Sequence, residues 1–302
     1  MIARLQQLIA LSLLAGAAAW TGYAGLDLGL ILDGFLAAAG VYIAYFALLF
    51  VATQYLNRSD PLPRASLWQL LQAWLREASA AFRVFLWRQP FRSQAVPDFL
   101  PVHQQRGVVF IHGFICNRGF WNPWMARLKA QNRAFVAVNL EPVFSSIDDY
   151  APQIEAAVTQ LTRATGLPPT LICHSMGGLA ARAWLRTTPG ADERVDHVIT
   201  IGTPHRGTLL SQRQRHANTR QMARFSAWTQ QLDADEPATR RAGFICWHSN
   251  CDNIVVPTST AMLAGADNRL VTAYGHVSMA FAARVMRESL ATLVNPIDSF
   301  QI

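Results

Sequence analysis

Residues 171–178 read LICHSMGG, an apolar run that ends in Ser-Met-Gly-Gly. A short apolar run bounded by glycines is typical of a buried strand that turns into a helix. The run is close to G-x-S-x-G, a turn that presents a nucleophilic serine, but Cys173 takes the place of the first glycine. Two interpretations of Ser175 are therefore open: a nucleophile, or the N-cap of an ordinary helix.

Strands and helices alternate on both sides of this turn, from Gly107 onward. Predicted helices lie at residues 121–132, 147–165, 177–186 and 277–293. Six strands are predicted, in the stretches GVVFIHGF, AFVAVNL, TLICHS, HVITIG, GFICWHS and RLVTAYG. Apolar strands separated by helices predict an α/β fold, in which a mostly parallel sheet carries helices on both faces.

Polar residues follow the predicted strands, at the edge of the sheet where reactive groups of α/β proteins collect. A serine, an acid and a histidine occur there in the chain order Ser175, Asp252 and His276. The other strand ends carry His112-Gly113-Phe114 and the stretch GTPHRG, which contains His205. Their order and placement match a nucleophile, acid and base triad.

At this point the sequence resembles the α/β-hydrolase fold and, within it, the lipases and esterases. The resemblance rests on FIHGF, CHSMGG, GTPHRG, the Asp252 turn and YGH, and it covers residues 100–302. It implies that Ser175 is the nucleophile, His276 the general base and Asp252 the acid that orients the base. It also implies that the backbone amides of Phe114 and Met176 form the oxyanion hole.

Several residues of this region admit a second interpretation. Asp233, Asp235, Glu236 and Asp267 compete with Asp252, but the first three fall in an insertion and the last precedes a strand. His112, His174 and His205 are candidate pocket-lining residues. His112 and His174 suit a role in shaping hydrogen bonds, and His205 is either pocket lining or part of a structural turn.

Cys173 as the nucleophile is a weaker rival, because a thiol inside a buried strand is inert. No metal or other cofactor is expected. The calcium-dependent bacterial lipases place an aspartate two residues after the histidine, and this chain has Ser278 there.

Residues 206–242 separate the fourth and fifth strands and exceed a simple connection in length. Related hydrolases usually carry a lid or cap at this place. The insertion mixes apolar side chains with arginines, so it is either an amphipathic lid that opens at a lipid surface or a fixed cap.

The N-terminal residues 1–56 contain two stretches without Lys, Arg, Asp or Glu, from Leu5 to Leu26 and from Gly34 to Leu56. Each exceeds the roughly 20 residues that span a bilayer, which predicts two transmembrane helices. A signal peptide cleaved after Ala17-Ala18-Ala19 is the alternative. Arg4 and Arg58 flank the pair, so we expect both ends, and the catalytic domain, on the cytoplasmic face of a bacterial inner membrane.

Residues 57–99 are predicted to contain a linker and an amphipathic helix that begins at Ser66, where S-x-x-Q fits a capping box. Its apolar face suits either a helix at the membrane surface or one packed on the main domain. That face comprises Leu67, Leu70, Leu71, Trp74, Leu75, Ala78, Phe82, Phe85 and Leu86.

The net charge of +7 comes almost wholly from scattered arginines, and no motif that reads nucleic acid accompanies it. Cys246 and Cys251 form a disulfide only if the domain faces an oxidising compartment. The sequence predicts a membrane-anchored serine hydrolase that acts on esters of lipids or other hydrophobic acyl groups. A thioesterase, an acyltransferase and a non-catalytic binding module remain alternatives, and the oligomeric state is not predicted.

Overall fold

The computed structural model describes residues 2–25, 27–101 and 104–293 of the 302-residue chain. Six parallel strands form one sheet in the order β2-β1-β3-β4-β5-β6. The strands are β1 Val108–Ile111, β2 Phe135–Ala137, β3 Thr170–His174, β4 Val198–Ile201, β5 Phe244–Ser249 and β6 Asp267–Val271. This arrangement confirms the predicted fold class and all six predicted strands.

Twelve α-helical segments accompany the sheet in the described part of the chain. They are α1 Ile2–Tyr23, α2 Leu28–Leu56, α3 Leu67–Ala81, α4 Gln89–Phe91, α5 Asn122–Ala130, α6 Ala151–Thr165, α7 Met176–Thr187, α8 Ala217–Gln221, α9 Ala227–Asp235, α10 Ala238–Ala242, α11 His276–Met279 and α12 Ala283–Ala291. Helices at 121–132, 147–165 and 177–186 were correctly predicted to within a few residues.

The core consists of two apolar layers, one on each face of the sheet. Successive residues of a strand point to opposite faces, so Val109 joins the layer with α6 and α7, and Phe110 the layer with α5 and α12. Trp184 in the first layer and Trp124 in the second are both fully buried. Helices therefore cover both faces, and the carboxyl edge of the sheet remains for the site.

The predicted closing helix at 277–293 is wrong in one respect, because the structure divides it into α11 and α12. The indole nitrogen of Trp124 donates to the carbonyl of Ala280 over 2.9 Å, and Ala282 is extended with φ −63° and ψ 130°. A partner from a distant helix thus takes the carbonyl that a continuous helix would use.

The first two helices have the length and composition needed to cross a membrane. Ile2–Tyr23 has a mean hydropathy of 1.4 over its most apolar window, and Leu28–Ser59 has 2.2. Most of their large apolar side chains are exposed, as in Leu8, Leu14, Leu48 and Val51. These helices can serve as an anchor or, for the first of them, as a signal sequence.

The predicted capping box at Ser66 is confirmed, and α3 begins directly after it. The helix continues through the π-helical turns Phe82–Arg88 into α4. It packs on the main domain through a narrow side that contains Ala73 and Glu77, both fully buried. Four of the nine side chains of its predicted apolar face stay exposed, among them Leu67 at 86% and Leu75 at 58%, and the other five are half-buried.

The insertion at residues 206–242 contains α8, α9 and α10, and its second half is tied to α7. Arg182 of α7 has no exposed surface, and its guanidinium donates to Glu236 over 2.8 Å and to Asp233 over 2.5 Å. The indole of Trp228 donates to Asp148 over 2.8 Å. These contacts fix residues 226–242 against the domain.

Candidate active site

Ser175 lies in the turn between β3 and α7. Its backbone angles, φ 54° and ψ −126°, are rare for residues other than glycine. A residue in such a region is held there by its surroundings at a cost of order 1–3 kcal/mol, and such strain clusters at functional sites. Here the amide of Ser175 donates to the carbonyl of Ile201 over 3.0 Å. The serine remains partly exposed at the carboxyl edge of the sheet.

Three glycines allow neighbouring segments to approach this turn. A Cβ on Gly177 would lie 2.4 Å from the carbonyl oxygen of Ile111, and one on Gly178 would lie 2.2 Å from Thr203 Oγ1. A Cβ on Gly113 would lie 2.9 Å from the Cβ of Ser175. The glycines that the turn needs are therefore those that face β1 and the end of β4.

Cys173 stands where the G-x-S-x-G pattern has its first glycine, and it is accommodated inside β3. Its Cα pairs with those of Ile111 and Thr200 on the neighbouring strands, and the side chain is fully buried in the core. Burial, and secondarily the nearby Cys246, raises the pKa of its thiol. The thiol is therefore kept neutral and away from the edge that exposes Ser175.

Asp252 and His276 form a buried pair in the loops that follow β5 and β6. His276 Nδ1 lies 3.0 Å from Oδ2 and 3.1 Å from Oδ1 of Asp252. The amides of Ile254 and Val255 both donate to Asp252 Oδ1 over 2.9 Å, which fixes the carboxylate. This leaves Nε2 of the imidazole as the atom that can accept a proton.

Burial alone would lower the pKa of His276, because it disfavours the charged ring. The charge and hydrogen bond of Asp252, with a further contribution from Glu77, outweigh burial, so the net pKa is raised. The site is thus suited to hold an imidazolium ion.

The His276 ring lies near the end of β4, which adjoins Ser175. A Cβ on Gly202 would lie 3.2 Å from the Cε1 and Nδ1 atoms of His276, and the preceding Ile201 accepts the amide of Ser175. Within the described residues no hydrogen bond joins Ser175 Oγ to the ring. Such bonds often form only when a substrate is present.

The two proposed oxyanion donors, the amides of Phe114 and Met176, belong to the turns after β1 and β3. Phe114 lies in the turn after β1, where Ile115 has φ 54° and the amide of Cys116 donates to Gly113 over 3.3 Å. Met176 is the first residue of α7, and the first amides of a helix have no partner within it. In the described chain, no hydrogen bond occupies either amide.

The sequence profile of the alpha/beta hydrolase family matches residues 108–289, more than half of the chain. The chain belongs to the alpha/beta hydrolase family. No curated protein sequence matches it.

Solved α/β hydrolases share its fold at low sequence identity. The mature lipase BlEst2 of Bacillus licheniformis is 17% identical with a TM-score of 0.56, over 66% of this chain and 96% of that one. Lipase B of Aspergillus fumigatus is 16% identical with a TM-score of 0.55, over 63% of this chain and 52% of that one. At these identities the likeness shows a common fold.

Two of the candidate pocket histidines of this α/β hydrolase lie beside the serine and the base. His112 Nδ1 contacts the carbonyl of Gly113 at 2.9 Å while Nε2 accepts the amide of Leu140 over 3.1 Å, which fixes a neutral tautomer. Burial lowers its pKa to about 4. His174 Nε2 lies 3.1 Å from the carbonyl oxygen of His276, and burial lowers its pKa as well. Both rings act as hydrogen-bonding supports.

His205 lies in the core, with no exposed surface. Its Nε2 lies 3.0 Å from Thr200 Oγ1 and 3.5 Å from Cys246 Sγ, and its carbonyl accepts from Arg182. Of the two interpretations of this histidine, the geometry fits the structural turn. Cys246 and Cys251 are both free thiols in the structure.

Two residues that support the base do not stand out in the sequence. The side chain of Asn253 accepts the amide of His276 over 2.8 Å. Glu77 of α3 accepts the amides of Val277 and Ser278 over 2.9 and 2.8 Å. Asn253 follows Asp252 directly, so its place in the turn after β5 could have indicated a role near the base. Glu77 has no such signal.

Ser278 holds the place where calcium-dependent lipases have an aspartate. Its hydroxyl accepts the amide of Gly275 over 2.9 Å, and its own amide is taken by Glu77. Among the described residues, no three His, Cys, Asp or Glu side chains are grouped to hold a metal ion.

Proposed function

We propose that this α/β hydrolase is a membrane-anchored serine hydrolase that cleaves carboxylic esters of lipids or other hydrophobic acyl substrates. The observation that carries the proposal is the strained, partly exposed Ser175 beside the buried His276–Asp252 pair. A binding module would need neither the strain at the serine nor a fixed imidazole with one free nitrogen.

In the proposed first step, His276 Nε2 takes the proton of Ser175 Oγ as the oxygen attacks the ester carbonyl. Asp252 holds the ring through Nδ1 and stabilises the imidazolium that forms. The amides of Phe114 and Met176 donate to the developing oxyanion. Losing one such donor raises the barrier by about 3 kcal/mol.

When the first tetrahedral intermediate collapses, the imidazolium gives its proton to the leaving alkoxide. The alkoxide departs as an alcohol and leaves an acyl-Ser175 ester. His276 then takes a proton from water, whose oxygen attacks the acyl carbon. Collapse of this intermediate releases the carboxylic acid and returns the proton to Ser175 Oγ. The whole cycle needs only residues of this chain and water.

The preference for hydrophobic esters is inferred from the position of the N-terminal helices. Gln6, near the start of α1, donates to the carbonyl of Ile115 over 3.2 Å, beside the proposed oxyanion donor Phe114. At the end of α2, Asn57 accepts the amide of Thr258 over 3.1 Å, in the loop after β5. Both contacts lie at the carboxyl edge of the sheet. A bilayer that held these helices would adjoin the site.

The same placement supports the membrane as a partner of this chain. α3 is attached to α2, since the Tyr42 hydroxyl donates to the carbonyl of Ala78 over 2.7 Å and the Trp74 indole to the carbonyl of Ile43 over 3.1 Å, and both helices carry exposed apolar side chains. We expect the domain on the cytoplasmic face of a bacterial inner membrane, from the arginines at both ends of the helical pair. A reporter that is active only in the periplasm, fused after residue 302, should stay inactive. An active reporter would show that the domain lies on the periplasmic face.

Labelling with a fluorophosphonate probe tests the proposed nucleophile. Wild type should become labelled, and Ser175→Ala should not, since only an activated serine reacts with the probe. Cys173→Ala is the matched control, because it alters the neighbouring strand and leaves the serine. Absence of label on folded wild type would contradict the hydrolase proposal.

Hydrolysis of esters of increasing acyl length, with and without detergent micelles, tests the substrate class. A lipase should prefer long chains and respond to the micelle surface; a preference for short soluble esters would make the protein a carboxylesterase. A thioesterase or acyltransferase remains the second candidate, because the acyl-enzyme is common to all three. Turnover of acyl thioesters, or acyl transfer to an added alcohol, would favour it.

A further inference from the structure

Glu77 is a buried carboxylate that the proposed reaction leaves without a role. It lies on α3, 1% exposed, and both of its oxygens are used. Oε1 accepts the amide of Val277 and Oε2 that of Ser278, at 2.9 and 2.8 Å. Two oxygens that each accept an amide match a carboxylate, because a protonated acid would place a hydrogen on one of them. Burying such a charge is costly unless it is paired.

The two amides belong to the short helix α11, whose first residue is His276. The first amides of a helix have no partner inside it, so Glu77 accepts the hydrogen bonds of two otherwise unpaired amides in the helix that carries the base. The amide of His276 itself goes to Asn253. The backbone around the base is therefore held from two directions, by the loop after β5 and by the helix that follows the N-terminal pair.

Glu77 lies close enough to the base to affect its charge. It is one of the groups that raise the pKa of His276, and His276 in turn favours the charged form of Glu77. Burial acts against this and raises the pKa of Glu77. The other groups facing the pair are Asp252 at Nδ1 of His276, the ring of His174, whose centroid lies 4.7 Å from that of His276, and Tyr42 of α2, which interacts with Glu77.

We propose that Glu77 is a positioning residue for the hydrolytic reaction: from α3 it fixes α11 and holds the His276 imidazolium beside Ser175. This rests on the proposed function. A segment outside the region matched by the family profile thereby completes the support of the base. The attachment of α3 is reinforced by Arg76, whose guanidinium donates to the carbonyl of Ala273 over 2.7 Å and lies 4.4 Å from the Tyr274 ring.

The test is Glu77→Gln in the full chain in detergent, because glutamine keeps the shape but replaces one acceptor oxygen by a donor. Glu193→Gln, at an exposed site, controls for loss of one charge. Val84→Ala, at a fully buried site just beyond α3, controls for weakened packing of this segment. The readouts are kcat/KM against pH, and the pKa of His276 from NMR of histidine-labelled protein, assigned with His276→Gln.

Glu77→Gln should lower kcat/KM by on the order of tenfold. This loss is smaller than that expected for Asp252→Asn, which would leave the imidazole in the wrong tautomer. It should also move the acid limb of the profile, and the NMR pKa of His276, to lower pH by roughly half a unit or more. Glu77→Asp keeps the charge and should recover part of the pH shift. Both controls should keep the wild-type midpoint.

An unchanged midpoint in folded Glu77→Gln, or a loss of activity no greater than in Val84→Ala, would overturn the proposal. If Glu77→Gln does not fold, Gly275→Ala replaces it, because its Cβ would lie 2.6 Å from Glu77 Oε2 and 2.8 Å from Asn253 Oδ1 and would displace both supports of the base. An unchanged profile in Gly275→Ala is equally contrary.

The NMR arm separates this proposal from the proposed function. If wild type shows no Ser175-dependent turnover but the pKa of His276 still changes in Glu77→Gln, the proposed function is contradicted and the contact between Glu77 and the base remains. Ser175-dependent turnover without any effect of Glu77 removes the positioning role alone.

Discussion

The hydroxyl of Thr203 donates to the carbonyl oxygen of Ser175 over 2.8 Å and so joins the end of β4 to the strained turn after β3. A Cβ on Gly178 would lie only 2.2 Å from the oxygen of the same hydroxyl. Thr203 therefore holds the turn only because residue 178 has no side chain.

Gly178→Ala should destabilise the protein and reduce fluorophosphonate labelling, since Thr203 cannot move without releasing Ser175. Overpacking of this kind costs about 1–3 kcal/mol. Chemical denaturation measures the cost. Gly243→Ala, whose Cβ would meet nothing closer than 3.4 Å, is the matched control. Equal stability of the two variants would contradict the close approach.

Cys173→Gly should remain largely active although it restores the G-x-S-x-G pattern. The change removes a buried side chain and places glycine within a strand, so we expect a loss of stability of about 1–2 kcal/mol. The labelling rate of Ser175 should stay within severalfold of wild type, because the thiol does not reach the exposed edge. Loss of labelling in folded Cys173→Gly would assign the thiol a direct role.

Asp252→Asn should lower kcat by on the order of 10⁴, because the imidazole loses the acceptor that sets its tautomer. The pH profile carries a second signature. His276 acts as a base only when neutral, and Asp252 raises its pKa, so the acid limb of kcat/KM in wild type lies above the value for a free histidine. Removing the charge should move that limb to lower pH. A limb that stays in place would exclude Asp252 as the partner of the base.

Arg182→Met should release the second half of the insertion from α7. Glu236, whose side chain is 1% exposed, would lose its buried partner and keep only Arg241 at 3.4 Å, so we expect a cost of up to about 3–5 kcal/mol. Hydrogen exchange in residues 227–242 should rise. Arg240→Met removes a more exposed pair with Asp192 and should cost less than about 1 kcal/mol. Fast exchange of this segment already in wild type would instead support a mobile lid.

The fold could be predicted because β1 to β5 are mostly apolar runs followed by glycine or a polar residue, as in LICHSMGG; β6, which begins with Asp267, Asn268 and Arg269, is more polar. The serine, acid and histidine could be proposed because a parallel sheet collects its strand ends at one edge. The division between α11 and α12 could not, because it depends on the indole of Trp124, far away in sequence. For His205 the motif alone left open whether the side chain lines the pocket or belongs to a structural turn.

Glu77 could not be found for a related reason. Within α3 it occupies an ordinary polar position of an amphipathic pattern, and that pattern suggests solvent. Burial of Glu77, while Leu67 and Leu75 remain exposed, follows from partners about two hundred positions later in the chain. Periodicity measures only local contrast, and it gives no sign that the side of α3 that packs carries a carboxylate.

The contacts of Gln89 have a practical consequence for preparing this protein. Its side chain accepts the amide of Asn117, and its carbonyl accepts the Asn117 side chain, in the loop that leads from the Phe114 turn to α5. A fragment trimmed to the region typical of the family would lose these partners together with Glu77. Soluble truncation, and exchange of α1 to α4 together for a foreign tether, should therefore both yield poorly active material. Purification of the intact chain in detergent is the route that preserves the site.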